Sequence, residues 1–324
     1  GLTVVAFGTS TPELAVSVAA SARGTADLAV ANVVGSNIFN IFLILGMTAA
    51  IRPLAIRREV VVREVPLVIA ASVALWLAAA GGGIGRAEAG ALLTGLAAWT
   101  VWSVRAGRRT PGPQPDLSEV PGLGAAPPEA GSTEGAALRD LLVPGALVAA
   151  GLAALVLGSR WLVEGATALA RALGVAEAVI GLTLVAAGTS LPEVATSAVA
   201  ALRGEQDVAV GNVLGSNLFN LLGIIGVAGL ASPVGLPVPR QMLGFDVPVM
   251  LAAAVACLPL ALTGRRIDRW EGALLVAFYL GYVGCLAGGA AGVIAPGPAI
   301  AVLGFGLPVI LLTGAVAASR LRRG

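Results

Sequence analysis

The sequence predicts an all-α membrane protein: two inverted-topology repeats of about five transmembrane helices each, with a first helix missing from this chain and an extra helix at the C-terminal end. Two observations carry that expectation. The chain is 57% apolar and 12% charged, with mean hydropathy +0.92, whereas soluble domains carry about 25% charged residues. A fifty-residue pattern also occurs twice, 180 positions apart: GLTVVAFGTSTPELAVS (Gly1 to Ser17) returns as GLTLVAAGTSLPEVATS (Gly181 to Ser197), and AVANVVGSNIFN (Ala29 to Asn40) as AVGNVLGSNLFN (Ala209 to Asn220). Without a gap, 27 of 50 positions are identical. The apolar runs are unbroken rather than alternating and are rich in Ala, Leu and Gly, which reads as helix.

Taken in order, residues 1–22 form an apolar segment interrupted at GTSTPE, and 27–51 a second, interrupted around GSNIFN. Ordinary spans are expected at about 60–80 and 84–105, each near the roughly 20 residues that cross a bilayer. Residues 107–138 are rich in Pro, Gly and charge and read as a flexible linker. A long helix follows at about 139–173, then the second motif pair at 177–202 and 206–231, spans near 243–263 and 267–287, and a last run at 297–318. The domains are therefore 1–106 (first repeat, N-terminally truncated), 107–138 (linker), 139–290 (second repeat) and 291–324 (extra helix and basic tail). A helix precedes GLTLVAAGTS but none precedes GLTVVAFGTS, so the expectation is that roughly forty residues belong ahead of Gly1, enough for one helix and the start of the next at ~1.5 Å per residue.

All twenty basic residues are arginine, with no lysine and no histidine. The missing histidine excludes imidazole proton relays and histidine metal ligands, and Cys257 and Cys285 read as small core residues. When the chain is allowed to cross at every span, one side collects fifteen arginines (among them Arg52, Arg57, Arg58, Arg203, Arg265 and Arg266) and the other collects Arg23, Arg86, Arg171 and Arg240. By the positive-inside rule the first side, with the linker and the C-terminus, is cytoplasmic. The same count makes residues 1–22 and 177–202 run in opposite directions, as in transporters built from inverted repeats.

In GTSTPE, Gly8 and Pro12 are expected to open the helix at Gly8 to Ser10, freeing the carbonyls of Ala6, Gly8 and Thr9. The Thr9 and Ser10 hydroxyls add oxygen donors, and Glu13 follows one turn on. The second copy supplies Ala186, Gly188, Thr189, Ser190 and Glu193. These are hard oxygen ligands suited to a cation such as Ca²⁺. Two facing carboxylates would neutralise one divalent ion, and without it would favour taking up a proton. In the second motif Asn40, Asn220, Ser36 and Ser216 are neutral donors, with Ser36 and Asn40 on one helix face. Asn32, Asn37, Asn212 and Asn217 are expected to satisfy backbone across the helix pair, and Gly35 and Gly215 to permit close helix approach. Glu164 is either an access-path residue or an interfacial charge. Asp246, Asp268 and Glu271 are expected to be structural, and Asp27 and Asp207 to cap helices.

At the paired GTS-x-PE and GSN-x-F-N motifs the chain resembles the cation/calcium exchanger superfamily, the sodium/calcium exchanger-like membrane proteins. That resemblance implies two inverted five-helix bundles and a secondary antiporter that exports Ca²⁺ against Na⁺, or against H⁺ in some branches, rather than an enzyme. It assigns ion ligation to Thr9, Ser10, Glu13, Thr189, Ser190, Glu193, Ser36, Asn40, Ser216 and Asn220. At Asn220 some prokaryotic members carry Asp, so two carboxylates remain here. The transported ions are the only ligands expected, without cofactor or nucleic acid, in a plasma (inner) membrane. A cation channel is the less favoured alternative, because the internal repeat points to one alternating-access site in a single chain.

Overall fold

A computed structural model describes residues 2–109, 134–174, 180–262 and 265–311, with residue 314. The protein is an all-helical membrane protein. The first repeat comprises α1 (Leu2–Thr9), α2 (Thr11–Ala22), α3 (Ala26–Ile51), α4 (Val60–Ala79) and α5 (Arg86–Arg109). The second comprises α6 (Glu134–Ala172), α7 (Leu182–Thr189), α8 (Leu191–Arg203), α9 (Gln206–Ala231), α10 (Asp246–Leu262) and α11 (Arg269–Ala290), and α12 (Pro298–Leu311) follows. Among the described residues five helices are long and apolar enough to cross a membrane, and the α7–α8 pair, bent by 53°, passes the same test as a broken span or a re-entrant loop. At 24 residues α5 also has the length; its Thr94 and Thr100 hydroxyls bond back to the Gly90 and Leu96 carbonyls, so they bring no unsatisfied donor into the span. Much of the expected linker, residues 110–133, lies outside the described residues, as do Arg320, Arg322 and Arg323 of the basic tail.

Four short strands tie the connectors together in a way the sequence did not announce. β1 (Leu54–Ala55) follows α3 and pairs antiparallel with β4 (Arg266–Ile267), just before α11. β2 (Gly83–Ile84) follows α4 and pairs with β3 (Leu236–Pro237), after α9. Counting one crossing per span, six separate β1 from β4 and four separate β2 from β3, so each pair joins connectors on the same side. The α1–α2 and α7–α8 pairs then run oppositely, which is the inverted repeat. On the β1–β4 side, the Ala55 N–H also donates to Gln206 Oε1 at 2.6 Å, and Arg57 lies 3.9 Å from Asp207. The N-cap positions of α3 and α9 are Thr25 and Glu205, not the expected Asp27 and Asp207. Both aspartates stand in the first turn, where a negative charge still opposes the helix dipole.

Small residues set the helix approaches. A Cβ on Gly35 of α3 would lie 2.7 Å from the Leu182 carbonyl oxygen and 2.9 Å from Ala186 Cβ, and among the described contacts one on Gly215 of α9 would meet Ala6 Cβ at 3.0 Å. Gly272 of α11 packs on α3 so closely that a Cβ would meet the Gly46 oxygen at 2.5 Å. Likewise a Cβ on Gly229 of α9 would meet Ala89 Cβ of α5 at 2.6 Å. Phe42 of the first repeat and Phe245 and Phe278 of the second receive Phe305 from α12, which fastens that helix to both.

The expected structural acids divide between two roles. Asp268 and Glu271 form a capping box at the start of α11. Asp246 is buried and accepts a 2.8 Å hydrogen bond from Tyr282 Oη, which joins α10 to α11. Removing that donor leaves a buried carboxylate short of a partner, so Tyr282→Phe is expected to lower unfolding stability by about 1–3 kcal/mol. Thermal unfolding in detergent measures this, and an unchanged midpoint would show that the bond contributes nothing.

Candidate cation site

Ser10 separates α1 from α2 at φ −83°, ψ 10°, and Ser190 separates α7 from α8 at φ −86°, ψ 9°. The breaks match because their residues do. Pro12 and Pro192 stand in the first turn of the following helix, where a missing N–H costs least, and have no N–H to return to the Gly8 and Gly188 carbonyls. The opening is narrower than the sequence suggests. The Ser10 N–H still donates to the Ala6 carbonyl at 3.1 Å and the Ser190 N–H to that of Ala186 at 3.1 Å. The Thr9 and Thr189 hydroxyls reach the same two carbonyls at 3.3 and 3.2 Å. The proline removes the bond four residues before itself, at Gly8 and Gly188, and leaves the one at Ala6 and Ala186 intact.

The first turns of α2 and α8 then carry Glu13 and Glu193 into the interior, each 0% exposed. Each is held by the other repeat: Ser190 Oγ donates to Glu13 Oε1 at 2.8 Å, and Ser10 Oγ to Glu193 Oε1 at 2.8 Å. Ser216 Oγ adds a 3.2 Å bond to Glu193 Oε1. The remaining oxygens, Glu13 Oε2 and Glu193 Oε2, are buried without a protein partner. Among the described residues no arginine pairs with either glutamate. Arg160 instead pairs with Glu164 at 2.8 Å, and both are exposed on α6, so Glu164 stands as a surface ion pair.

Asn40 and Asn220 sit at a feature the sequence did not reveal. Helices α3 and α9 widen into π-helical turns over Phe39–Leu45 and Phe219–Ile224, each beginning one residue before the asparagine. Such bulges recur at functional sites because they redirect side chains without ending the helix. Helix α2 packs on the turn that carries Asn220 and α8 on the turn that carries Asn40. Asn40 Nδ2 donates to Asn217 Oδ1 at 2.9 Å, which leaves Asn40 Oδ1 without a partner. Both amide atoms of Asn220 are unpartnered. Ser36 Oγ points instead at the Ala186 carbonyl, at 3.5 Å.

The other asparagines form the frame. Asn32 Nδ2 donates to Ser17 Oγ at 3.1 Å and to the Glu13 carbonyl at 3.4 Å, while its Oδ1 accepts from Thr189 Oγ1 at 3.2 Å. Asn212 repeats this with Ser197 Oγ at 3.1 Å, Thr196 Oγ1 at 2.9 Å and Thr9 Oγ1 at 3.4 Å. Each thus fixes its own glutamate helix and receives the break of the opposite repeat. Asn37, expected to satisfy backbone across the helix pair, instead bonds back to Val33 O of its own helix at 2.7 Å. Its counterpart Asn217 does not: it reaches Asn40. Ser17 and Ser197 were missed, although their position four residues after each glutamate places them on its face.

The site therefore gathers two carboxylates, hydroxyls, amide oxygens and carbonyls from both repeats, with several buried oxygens lacking a partner. This donor set suits a hard cation and contains no soft ligand. An inverted-repeat helical fold with oxygen donors gathered at paired helix breaks is the architecture of a secondary transporter. The sequence profile of the sodium/calcium exchanger protein family matches residues 1–105 and 144–287, and the chain belongs to that family. It is 39% identical over 285 residues to the putative antiporter CaxA of Alkalimonas amylolytica, covering 87% of this chain and 85% of that protein. It is 32% identical over 310 residues to the sodium/calcium exchanger MaX1 of Methanosarcina acetivorans, covering 87% of each. A solved structure of the sodium–calcium exchanger NCX_Mj, soaked with Na⁺ and Sr²⁺, superposes with a TM-score of 0.68 at 28% identity, over 88% of this chain and 85% of that one.

Proposed function

We propose that this antiporter exchanges Ca²⁺ for Na⁺ by alternating access, with both ions competing for Glu13 and Glu193. The observation that carries the reading is the reciprocal hold on the two glutamates, each bonded by a serine of the other repeat and each with a buried oxygen left over. Thr9, Ser10, Thr189, Ser190, Ser36, Ser216, Asn40, Asn220 and the Ala6 and Ala186 carbonyls complete the ligand set. Beside their helical N–H donors these two carbonyls also accept from hydroxyls of Thr9, Thr189 and Ser36, and turning those hydroxyls aside would open a lone pair on each for a cation. The names of MaX1 and NCX_Mj support Na⁺ and Ca²⁺ as the ions. Competition at one site couples the fluxes, and occupancy lets helices outside the core rock to switch access.

We assign the side that holds β1 and β4 to the cytoplasm of a plasma (inner) membrane, since the fifteen-to-four arginine bias favours it. The profile match is interrupted between 105 and 144 and ends at 287, which supports reading 107–138 as a linker and α12 as an addition. Two buried carboxylates without an arginine partner favour a second reading, H⁺-coupled exchange.

The test is ⁴⁵Ca²⁺ uptake into vesicles holding the full-length protein, loaded with Na⁺ and diluted into Na⁺-free buffer at equal pH on both sides. Uptake that needs internal Na⁺ supports Na⁺/Ca²⁺ exchange. Uptake indifferent to Na⁺ but driven by a pH step would replace it with the H⁺-coupled reading.

A further inference from the structure

We infer that the exchanger carries a latch on one face only: the connector from α3 to β1 grips the α8–α9 turn and biases the site against opening toward the cytoplasm. This bias rests on the exchange function and the sidedness proposed above. Helix α8 runs from the break at Ser190, past Glu193, to the β1–β4 side, where Gly204 ends it in the left-handed conformation at φ 84°. Helix α2 runs from Ser10, past Glu13, to the β2–β3 side, where Gly24 turns the chain at φ 82°. On the first of these turns the Arg52 guanidinium lies over Gly204, with Nη1 3.3 Å from where a Cβ would stand, a cation at the end of a helix. Two residues on, Gln206 Oε1 accepts from the Ala55 N–H at 2.6 Å, an amide that faces away from β4. Arg57 and Asp207, half-exposed and 3.9 Å apart, add only a screened attraction.

The opposite face lacks these parts. At 180 positions' separation Arg52 is matched by Ser232 and Gln206 by Ala26. The strand registers match Ala55 with Pro237. Ala55 pairs with Arg266 and the next N–H, of Ile56, goes to the Arg265 carbonyl, while Pro237 pairs with Gly83 and the next N–H, of Val238, goes to that of Gly82. A proline has no N–H to give. Among the described residues, none beyond its chain neighbours comes within 4 Å of the Cβ position on Gly24. The two faces share a backbone plan and differ in the side chains that tie it. With interchangeable repeats the two access states would have equal energy, and a tie on one face removes that equality. A path from Glu193 to the cytoplasm parts α8 from the end of α3 it packs beside, which breaks the Gln206 bond and uncovers Gly204. A path from Glu13 to the other side breaks neither. One hydrogen bond of this kind shifts an equilibrium by about 3- to 10-fold, enough to set which face is open at rest.

The test uses Arg52→Ser together with Gln206→Ala, which installs at the latch the residues the chain itself carries on its other face. Half-saturating Ca²⁺ for Na⁺-driven ⁴⁵Ca²⁺ uptake is measured with the full-length protein in inside-out and in right-side-out membrane vesicles. Hydrogen exchange is followed over residues 53–57 and 202–208 and compared with 22–27. We expect the two latched segments to exchange more slowly than 22–27 in the natural protein and to lose that protection in the variant. Half-saturating Ca²⁺ should then fall by about 3- to 10-fold on the cytoplasmic face alone, as the fraction of molecules open to that face rises. An equal change on both faces, or none, would overturn the bias. Latched segments that exchange as fast as 22–27 in the natural protein would overturn the latch itself. Absence of Na⁺-driven uptake by the natural protein would remove the exchange reading and with it the bias, and hydrogen exchange would still decide the latch.

Discussion

Glu193→Gln is expected to abolish Na⁺-driven Ca²⁺ uptake, and Glu13→Gln to do the same. Each substitution keeps the side chain's shape and leaves an oxygen that can still accept from Ser10 or Ser190, now at 2.8 Å from the carboxylates. The frame should therefore survive. What is lost is one of the two charges that balance a divalent ion in a buried site. Removing one partner of a buried ion pair costs about 3–5 kcal/mol, which corresponds to at least about a 100-fold loss of Ca²⁺ affinity. Uptake together with the thermal midpoint in detergent separates the cases. Normal uptake by either variant would remove the glutamate pair from the mechanism. Lost uptake with a collapsed midpoint would make the glutamate a folding residue instead.

Gly35→Ala is the second large effect, with Gly215→Ala as its internal control. At Gly35 the added methyl meets a backbone carbonyl at 2.7 Å, an obstacle that cannot rotate away, as well as Ala186 Cβ at 2.9 Å. At Gly215, among the described contacts, it meets Ala6 Cβ at 3.0 Å. Overpacking of this kind costs typically about 1–3 kcal/mol, while each substitution recovers up to about 1 kcal/mol of helix propensity. The expected result is a clear loss of stability and of uptake for Gly35→Ala and a change near zero for Gly215→Ala, read from unfolding in detergent and from ⁴⁵Ca²⁺ flux. Equal effects at the two positions would mean that the α3–α7 approach is softer than its geometry indicates.

The duplication made much of this fold legible. Gly8, Pro12 and Glu13 with their counterparts located the breaks, and the arginine count gave the inversion before any helix was placed. Local chemistry was read less well where the effect depended on position by one or two residues. Gly8 and Pro12 were expected to free the carbonyls of Ala6, Gly8 and Thr9, but that of Ala6 keeps its helical donor from Ser10. Asp27 and Asp207 were expected at the caps and stand two residues inside, in the first turn. The contacts between repeats were beyond the sequence, because Ser190 and Glu13 are separated by 177 residues and no periodicity records which hydroxyl will meet which carboxylate. The π-helical turns at Asn40 and Asn220 left no trace in the apolar pattern, since widening a helix by one residue per turn changes its bonds more than its composition.

That separation also sets a timetable for biosynthesis. Ser190 leaves the ribosome 177 residues after Glu13, which at 5–20 residues per second is roughly 10–35 s. For that interval Glu13 has no hydroxyl from the second half. The first half enters the bilayer with an acid whose hydroxyl partner is made later, so the paired arrangement cannot close until α7 and α8 have been synthesised.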